Sequence, residues 1–401
     1  MYLERQLAKP LARALAGFPA VLVTGPRQAG KTTFVKHELP QATYVSLDDP
    51  VASAFAREDP RGFLAAHREP VVLDEIQHAP SLLAQLKVAI DDNRSRKGRF
   101  LLTGSQQFAL MHGVSESLAG RVAVLDLLPM SFPELAALPP RALADAVWLG
   151  GYPELQFEPR ARSLWLGSYL RTYVERDVRT LVQVTDLGLF EQFLGLVAAH
   201  HGQELNRAKL ASHVGVSQPT IKRWLDVLGT SYVVLALLPY FKNFGKRLVK
   251  SPKVYFLDSA LACHLTRQPS AAAALAGSMG GALMEGWVVS EAYKAYAARG
   301  LEPGVYFWRS HDQLEVDLLL AVGTRLLPVE IKKTATPTSL QTQALSSFCA
   351  LAADVAFPSG WLVCAVETET ALAHGHLAVP WHAFTGRLAA LLDAESNAAT
   401  G

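Results

Sequence analysis

The sequence has few cysteines, no long apolar run and almost no net charge. Only 3 of its 401 residues are cysteine, and no two of these lie at metal-ligand spacing. This argues against a disulfide framework and favours buried thiols in a reducing compartment. No apolar run is long enough to cross a membrane, and the amphipathic N-terminus lacks the basic head and apolar stretch of a signal peptide. We therefore expect a cytoplasmic protein without a membrane partner.

The charge is balanced overall but unevenly distributed. The formal net charge is +2, yet residues 160–253 contain 14 Lys or Arg against 6 Asp or Glu, which leaves −6 for the remainder. The composition is 50% hydrophobic and 18% charged, as in globular proteins. The length predicts two or three domains. The local positive excess favours an anionic partner for the middle of the chain.

The strongest motif is a glycine-rich turn near the N-terminus. Residues 25–32 match the phosphate-binding pattern G-x-x-x-x-G-K-T. The apolar run 20–24 before the turn predicts a buried parallel strand, and residues 32–39 after it predict a helix whose first amides face the phosphates. An ordinary surface turn is the alternative, but strand, turn and helix occur in the order that nucleotide binding requires. The residues predicted to bind ATP are Gly25, Pro26, Arg27, Gln28, Ala29, Gly30, Lys31, Thr32 and Thr33.

Two acidic residues downstream supply the second half of this predicted site. Lys31 would reach the β- and γ-phosphates, and the hydroxyl of Thr32 would ligate Mg²⁺. The apolar run 71–73 ends in Asp74 and Glu75. Asp74 would hold Mg²⁺ through its water shell, and Glu75 would polarise the attacking water. An ordinary strand with an acidic end is the alternative.

Two further candidates for the hydrolytic site follow. The strand predicted over residues 99–103 leads into Ser105 and Gln106, and either could sense the γ-phosphate, with Ser105 as the first candidate. Arg121 follows a short predicted helix and could stabilise charge at the γ-phosphate of a neighbouring subunit. A surface or structural arginine explains Arg121 equally well. An arginine acting in trans requires a homo-oligomer, and we expect a ring, with a hexamer as one candidate size.

Together these motifs resemble a prokaryotic AAA-type ATPase family. The resemblance is carried by residues 25–32, 73–77, 102–105 and 118–121, and extends from Tyr2 to about Thr385. The family is related to the archaeal-type ATPases, and its members carry a C-terminal domain of unknown function. The resemblance implies an α/β fold with a P-loop AAA-type parallel-sheet ATPase domain that uses ATP and Mg²⁺.

Residues 204–240 carry a helix-turn-helix pattern. A helix is predicted over residues 207–213, a turn over 215–217 with Ser217 as N-cap, and a second helix from Gln218. Two strands follow, joined by a basic, aromatic connector, which is the layout of a winged helix. The side chains predicted to contact DNA are Gln218, Lys222, Arg223, Lys246, Arg247 and Lys250. Some winged helices bind only proteins, but the positive excess here favours DNA.

The C-terminal region predicts a helix followed by three strands, and it resembles the PD-(D/E)XK nuclease core. Residues two apart in a strand share a face, so Glu330 and Lys332 should point the same way. Asp317 on the neighbouring strand and Glu285 on the helix would complete a Mg²⁺ site whose bound water attacks a phosphodiester. Because Glu-x-Lys is common in strands, cleavage itself is left open.

These patterns predict four successive regions. They are a P-loop AAA-type ATPase domain (1–140), a helical linker with a winged helix-turn-helix (141–265), a PD-(D/E)XK nuclease-like α/β domain (270–388) and a disordered tail (389–401), with an alanine- and glycine-rich linker at 269–282. Three functions fit this order. The chain could act on DNA, branched or broken forms included, be an ATP-gated switch for a protein partner or a specific DNA site, or be an ATP-gated nuclease.

Overall fold

The computed structural model describes most of the chain as two compact units. The described residues are 2–104, 114, 117–173, 187–241, 251–310, 312 and 314–398. Unit 1 comprises Met1–Met130, Thr230–Tyr232 and Ala297–Leu301. Unit 2 comprises Ser131–Gly229, Val233–Tyr296 and Glu302–Gly401.

Unit 1 is built around a five-stranded, all-parallel sheet. Its strands are β1 (Ala20–Thr24), β2 (Thr43–Ser46), β3 (Val71–Asp74), β4 (Phe100–Thr103) and β5 (Val122–Asp126), in the order β2-β3-β4-β1-β5. Its helices are α1 (Ala8–Gly17), α2 (Lys31–Glu38), α3 (Pro50–Glu58), α4 (Pro60–Ala66) and α5 (Ser81–Asp92). Because the strands are parallel and β4 lies between β1 and β3, the carboxyl ends of these three strands lie side by side at one edge.

The local sequence explains why these elements form. Strands β1, β3 and β4 are buried along their whole length, as expected of inner strands of a parallel sheet covered on both faces. Helices α3 and α4 each begin with a proline, and the carboxylates of Asp49 and Asp59 cap them by accepting from Val51 N and Gly62 N at 2.8 Å each. The parallel sheet confirms the predicted α/β fold of the N-terminal region.

Unit 2 combines helices with a nine-stranded mixed sheet. Its strands are β6 (Gln203–Glu204), β7 (Val234–Pro239), β8 (Lys253–Phe256), β9 (Val305–Arg309), β10 (Glu315–Val322), β11 (Arg325–Ile331), β12 (Trp361–Cys364), β13 (Thr370–Ala371) and β14 (Leu377–Pro380). Their order is β13-β14-β12-β11-β10-β9-β7-β8-β6. Its helices are α6 (Leu143–Leu149), α7 (Pro153–Phe157), α8 (Arg162–Tyr173), α9 (Leu187–Ala199), α10 (Arg207–Val214), α11 (Gln218–Thr230), α12 (Ser259–Leu265), α13 (Ala271–Ala276), α14 (Gly280–Ala297), α15 (Gln343–Leu351) and α16 (Trp381–Ala398).

Helices α10 and α11 form the predicted helix pair. The hydroxyl oxygen of Ser217 accepts from Thr220 N at 3.2 Å, which confirms Ser217 as a cap. The buried face of α11 consists of Ile221, Trp224, Val227 and Leu228, and Leu225 beside it is half-buried. Strand β8 follows and pairs antiparallel with both β7 and β6.

The sheet of unit 2 crosses the predicted boundary between residues 265 and 270. Strand β7 pairs in parallel with β9, with Leu238 opposite Tyr306 and Pro239 opposite Phe307. The hairpin that follows the helix pair is therefore continuous with the C-terminal strands. In that C-terminal part, α14, β9, β10, β11, α15 and β12 succeed one another along the chain.

The C-terminal half departs from the sequence prediction at two points. The segment 269–282, predicted to be an alanine- and glycine-rich linker, contains helix α13, because a run of alanines has the highest helix propensity and the hydroxyl of Ser270 caps it by accepting from Ala273 N at 3.2 Å. The tail predicted to be disordered from residue 389 is helical to Ala398, since Leu388 and Leu392 are buried one turn apart. Among the described residues, no helix combines the length and apolar character needed to span a bilayer.

Candidate functional site

The turn between β1 and α2 has a backbone that only certain residues adopt easily. Gly25 and Gly30 have φ angles of +143° and +92°, and Gln28 has +59°. A β-carbon on Gly25 would lie 2.1 Å from the carbonyl oxygen of Leu127. The chain that follows β5 therefore packs directly on the turn, and position 25 requires glycine.

Lys31 opens helix α2 and is only 5% exposed. Its ammonium donates to the carbonyl oxygens of Gly25 at 3.0 Å and Pro26 at 2.9 Å, so the positive charge lies across the turn. The other predicted binding residues occupy the turn itself and the first turn of α2. The buried guanidinium of Arg5 braces the turn by donating to Ala29 O at 3.0 Å and Leu128 O at 2.6 Å. Sequence analysis missed Arg5, because nothing in its segment indicates a long-range contact.

Asp74, at the end of β3, is surrounded by three hydroxyl groups and is 3% exposed. The Thr32 hydroxyl donates to Asp74 Oδ2 at 2.9 Å. Tyr44 donates to the same oxygen, and Thr103 donates to Oδ1. Burial, and then the hydrogen bond to Asp74, raises the pKa of Tyr44 above its ordinary value, so this hydroxyl stays a donor. These bonds fix the orientation of the carboxylate towards the phosphate-binding turn.

This arrangement fits a nucleotide carrying Mg²⁺. A threonine hydroxyl and a carboxylate that face each other supply the hard oxygen atoms that Mg²⁺ prefers. The ammonium of Lys31 and the N-terminal end of α2 place positive charge at the same edge of the sheet, where phosphates would lie. The structure thus brings Lys31, Thr32 and Asp74 together, as the motif predicts.

Glu75 follows Asp74 in a left-handed backbone conformation, with φ +57° and ψ +51°. Its amide donates to Thr103 Oγ1 at 3.1 Å, and its carboxylate accepts from the side-chain amide of Gln77. Thr103 therefore bonds both acidic residues from the end of β4. The sequence pointed to Ser105 or Gln106 for a polar group at this strand end, and both lie outside the described residues. The signal for Thr103 was present, as a polar residue closing an apolar strand.

Arg121, predicted to act on a neighbouring subunit, is engaged within its own chain. Its Nε lies 2.7 Å from Asp91 Oδ1 and its Nη2 lies 2.8 Å from Asp91 Oδ2, near the end of α5. A third bond runs to Ala119 O at 3.0 Å. The bidentate contact with Arg121 lowers the pKa of Asp91 below its ordinary value. This geometry fits the structural alternative for Arg121.

The residues predicted to contact DNA are only partly described. Gln218, Lys222 and Arg223 are exposed on α11. The ammonium of Lys222 lies 3.4 Å from Asp226 Oδ2 one turn further on, a weak surface pair. Lys246, Arg247 and Lys250 lie outside the described residues.

The four residues predicted to form a nuclease site come together in unit 2. The ammonium of Lys332 lies 2.6 Å from Glu330 Oε1 and 3.2 Å from Asp317 Oδ2. Burial, and then the negative charge of Asp317, raises the pKa of Glu330 to about 8. Burial, and then the same charge, also raises the pKa of Glu285.

Lys253 and Glu315, which the sequence analysis did not assign, belong to the same cluster. The ammonium of Lys253 lies 3.0 Å from Glu285 Oε1 and 2.5 Å from Glu315 Oε1, and Lys253 is 4% exposed. The Tyr255 hydroxyl also donates to Glu285. In the part of the chain that the structure describes, no three or more His, Cys, Asp or Glu side chains are arranged to hold a metal. Within the cluster, ammonium groups contact Glu285, Glu315, Asp317 and Glu330, and Glu330 Oε2 is buried without a hydrogen-bond partner.

His201 is a buried, neutral imidazole in unit 2. It is 1% exposed, and its Nδ1 accepts from Phe256 N at 3.1 Å. A β-carbon on Gly286 would lie 2.0 Å from His201 Nε2, so helix α14 packs closely on the ring. Burial lowers the pKa of His201 to about 4.

Unit 2 is expected to lose stability as the pH falls from 6.5 to 4. Over this range the unfolded chain protonates His201 whereas the folded chain does not, so the free energy of unfolding decreases with falling pH. The full effect is roughly 3 kcal/mol. Tryptophan fluorescence should record a falling Tm over this range and a shallower pH dependence in His201→Gln. Exposed His213 provides the control, and an equal pH dependence in His201→Gln and His213→Gln would contradict the assignment.

Three family models match successive segments of the chain. Residues 17–136 match an AAA domain. Residues 140–272 match a domain of unknown function (DUF8612), and residues 280–384 match another (DUF4143).

Similar proteins occur in mycobacteria. An uncharacterized protein of Mycobacterium tuberculosis is 34% identical over 340 residues, which cover 83% of this chain and 75% of that protein. An uncharacterized protein of Mycobacterium bovis matches with the same identity and coverage. Among solved structures, a Walker-type ATPase of Pyrococcus abyssi is 14% identical with a TM-score of 0.43, covering 65% of this chain and 94% of its own.

Proposed function

Because this chain belongs to a family of prokaryotic AAA-type ATPases that includes the two mycobacterial proteins, we propose that it couples ATP hydrolysis to an action on DNA. The chain is a P-loop ATPase of the AAA type, with the AAA domain at residues 17–136. The proposal adds three parts to this. They are DNA as the partner, a winged helix that would bind it and a nuclease-like C-terminal fold.

One observation carries the ATPase part, namely the bond between Thr32 and Asp74 at the end of the phosphate-binding turn. It joins the two halves of the motif, which are 42 residues apart. We infer that Lys31 binds the β- and γ-phosphates and that Glu75 orients and polarises the attacking water. Bound Mg²⁺ would neutralise charge on the phosphates, held by Thr32 and Asp74.

The helix pair α10–α11 with its hairpin supports a winged helix that contacts DNA. The elements follow one another as helix, turn, helix and two antiparallel strands, and short β6 pairs with β8. The exposed side of α11 carries Gln218, Lys222 and Arg223, opposite its buried face. The excess of positive charge over residues 160–253 supports an anionic partner. We infer that α11 lies against DNA and that Lys246, Arg247 and Lys250 track its phosphates.

The C-terminal part supports a nuclease-like fold that holds DNA. Helix α14 and strands β9, β10 and β11 follow in the predicted order, and helix α15 and strand β12 come after them. Cleavage is not part of the proposal, because Lys253, which is not part of the predicted nuclease site, contacts Glu285 in the carboxylate cluster that would have to hold Mg²⁺.

The proposal is tested by measuring ATP turnover with and without DNA at fixed salt. We expect turnover to rise in the presence of at least one of duplex, single-stranded or four-way DNA. Equal turnover with and without every DNA form would contradict the proposal. It would instead favour the alternative, an ATP-gated switch for a protein partner. Stable capture of a protein partner by Lys31→Ala, without nucleic acid, would support that alternative.

Reversing the charge on α11 should weaken DNA binding. In Lys222→Glu/Arg223→Glu we expect the Kd for DNA to rise about tenfold or more and the slope of log Kd against log salt to fall by about 2, because two phosphate contacts are lost. Gel shifts at several salt concentrations measure both quantities. Lys9→Glu/Arg13→Glu, on exposed positions of α1, makes the same change in net charge. Equal weakening in both variants would show a general charge effect and remove α11 from the interface.

A homo-oligomeric ring, with a hexamer as one candidate size, stays a proposal. A role for Arg121 at a neighbouring active site would require its guanidinium to leave Asp91. The ion pair instead supports the alternative that Arg121 stabilises unit 1.

A further inference from the structure

The ammonium group of Lys253 lies inside a cluster of buried carboxylates. Its Nζ is 3.0 Å from Glu285 Oε1 and 2.5 Å from Glu315 Oε1. Lys253 is 4% exposed, so its charge is balanced by these carboxylates and not by bulk water. Removing one partner of such a buried ion pair strongly destabilises the folded protein, because the other charge is left uncompensated.

Lys253 comes from a different part of the chain than the carboxylates that it contacts. It is the first residue of β8, in the hairpin after the helix pair, whereas Glu285 lies on α14 and Glu315 begins β10. Pairing of β7 with both β8 and β9 joins this hairpin to the C-terminal strands. The sheet itself therefore sets the position of the ammonium group.

Two more cations contact carboxylate oxygens of the cluster, whereas Glu330 Oε2 is buried without a hydrogen-bond partner. The Nε of Arg309 lies 2.7 Å from Glu315 Oε2. The ammonium of Lys332 contacts both Asp317 and Glu330. A divalent cation that bound the oxygens of Glu285 and Glu315 contacted by Lys253 would have to displace this ammonium group, and the neighbouring cations would repel it.

We propose that Lys253 replaces a divalent metal ion in this cluster, so that the C-terminal domain holds no Mg²⁺ there and contacts DNA without hydrolysing it. The statement about DNA rests on the proposed function, whereas the replacement of the metal ion by Lys253 does not. The lysine would supply the positive charge that a nuclease takes from its metal, but it cannot generate a metal-bound hydroxide.

The proposal is tested by measuring how many Mn²⁺ ions the full chain binds, and how tightly. Electron paramagnetic resonance detects the binding, with no nucleotide or DNA present. We expect Lys253→Met to bind one more Mn²⁺ than the wild type does. The affinity of the new site for Mn²⁺ should be about tenfold or more higher than the affinity of any Mn²⁺ site in the wild type. Adding Glu285→Gln to Lys253→Met should remove this ion. Lys294→Met is the matched control, because Lys294 is also buried in the same unit and pairs with Glu291 at 3.0 Å. It should bind Mn²⁺ as the wild type does.

Two results would overturn the proposal. The first is that the wild-type protein already binds a Mn²⁺ ion and that Glu285→Gln removes it. The second is that Lys253→Met folds but binds no more Mn²⁺ than the wild type does. If Lys253→Met does not fold, Lys253→Gln, which keeps a hydrogen-bond donor, takes its place under the same criteria. The assay contains no DNA, so a failure to bind DNA would contradict the proposed function and leave this result standing.

Discussion

Replacing Lys31 by alanine is expected to reduce ATP turnover by about 100-fold or more and to weaken nucleotide binding. The ammonium of Lys31 lies across the phosphate-binding turn, held by the carbonyls of Gly25 and Pro26. Lys31 is the first residue of α2, so the start of the helix holds its charge in place. Steady-state phosphate release and calorimetry with ATP measure the two effects.

Lys87→Ala serves as the control for Lys31→Ala. Lys87 is exposed on α5 of the same unit, so its loss removes an equal charge without touching the turn. Its turnover should match that of the wild type. Should Lys31→Ala retain turnover within about threefold of the wild type, the phosphate contact assigned to Lys31 would be wrong, since a lost transition-state contact costs far more.

The second large effect is structural, and we expect it from Gly25→Ala. The new β-carbon would lie 2.1 Å from the carbonyl oxygen of Leu127, and the φ angle of +143° is unfavourable for alanine. Leu127 O is a backbone atom and cannot move aside as a flexible side chain could. We expect unit 1 to lose about 3 kcal/mol or more of its free energy of unfolding, together with nucleotide binding.

Gly17→Ala is the matched control for this change. Gly17 closes α1 in the same unit, and a β-carbon there would meet no atom within 4 Å. Its effect should stay within about 1 kcal/mol. Urea unfolding followed by circular dichroism compares the two variants, and equal stabilities would mean that the chain after β5 does not pack against the turn as described.

The nucleotide site was predictable because its chemistry is local in sequence. A buried strand, a turn with two glycines and a helix start place Lys31 and Thr32 within eight residues of Gly25. The acidic end of β3 was recognisable in the same way. Arg5, Tyr44 and Thr103 were missed, because contacts between distant segments cannot be assigned before the strand order is known.

The carboxylate cluster was only half predictable. Period-two alternation predicted that Glu330 and Lys332 point the same way, and they are in contact in the structure, although β11 ends at Ile331. Lys253 could not be found in this way, since it is 32 residues from Glu285 and belongs to a segment that the sequence assigns to another domain. Its position depends on the pairing of β7 with β9, a contact between distant parts of the chain that local patterns do not encode.

The continuous nine-stranded sheet has a consequence for how this protein can be divided. Cutting the chain near residue 270 would leave β7 and β9 each with a row of unpaired backbone groups, an edge that promotes aggregation. The C-terminal piece would also keep Glu285 and Glu315 without their lysine. Evolution can therefore exchange the ATPase domain more freely than it can separate the hairpin from the strands that follow, and the two regions are expected to be inherited as one block.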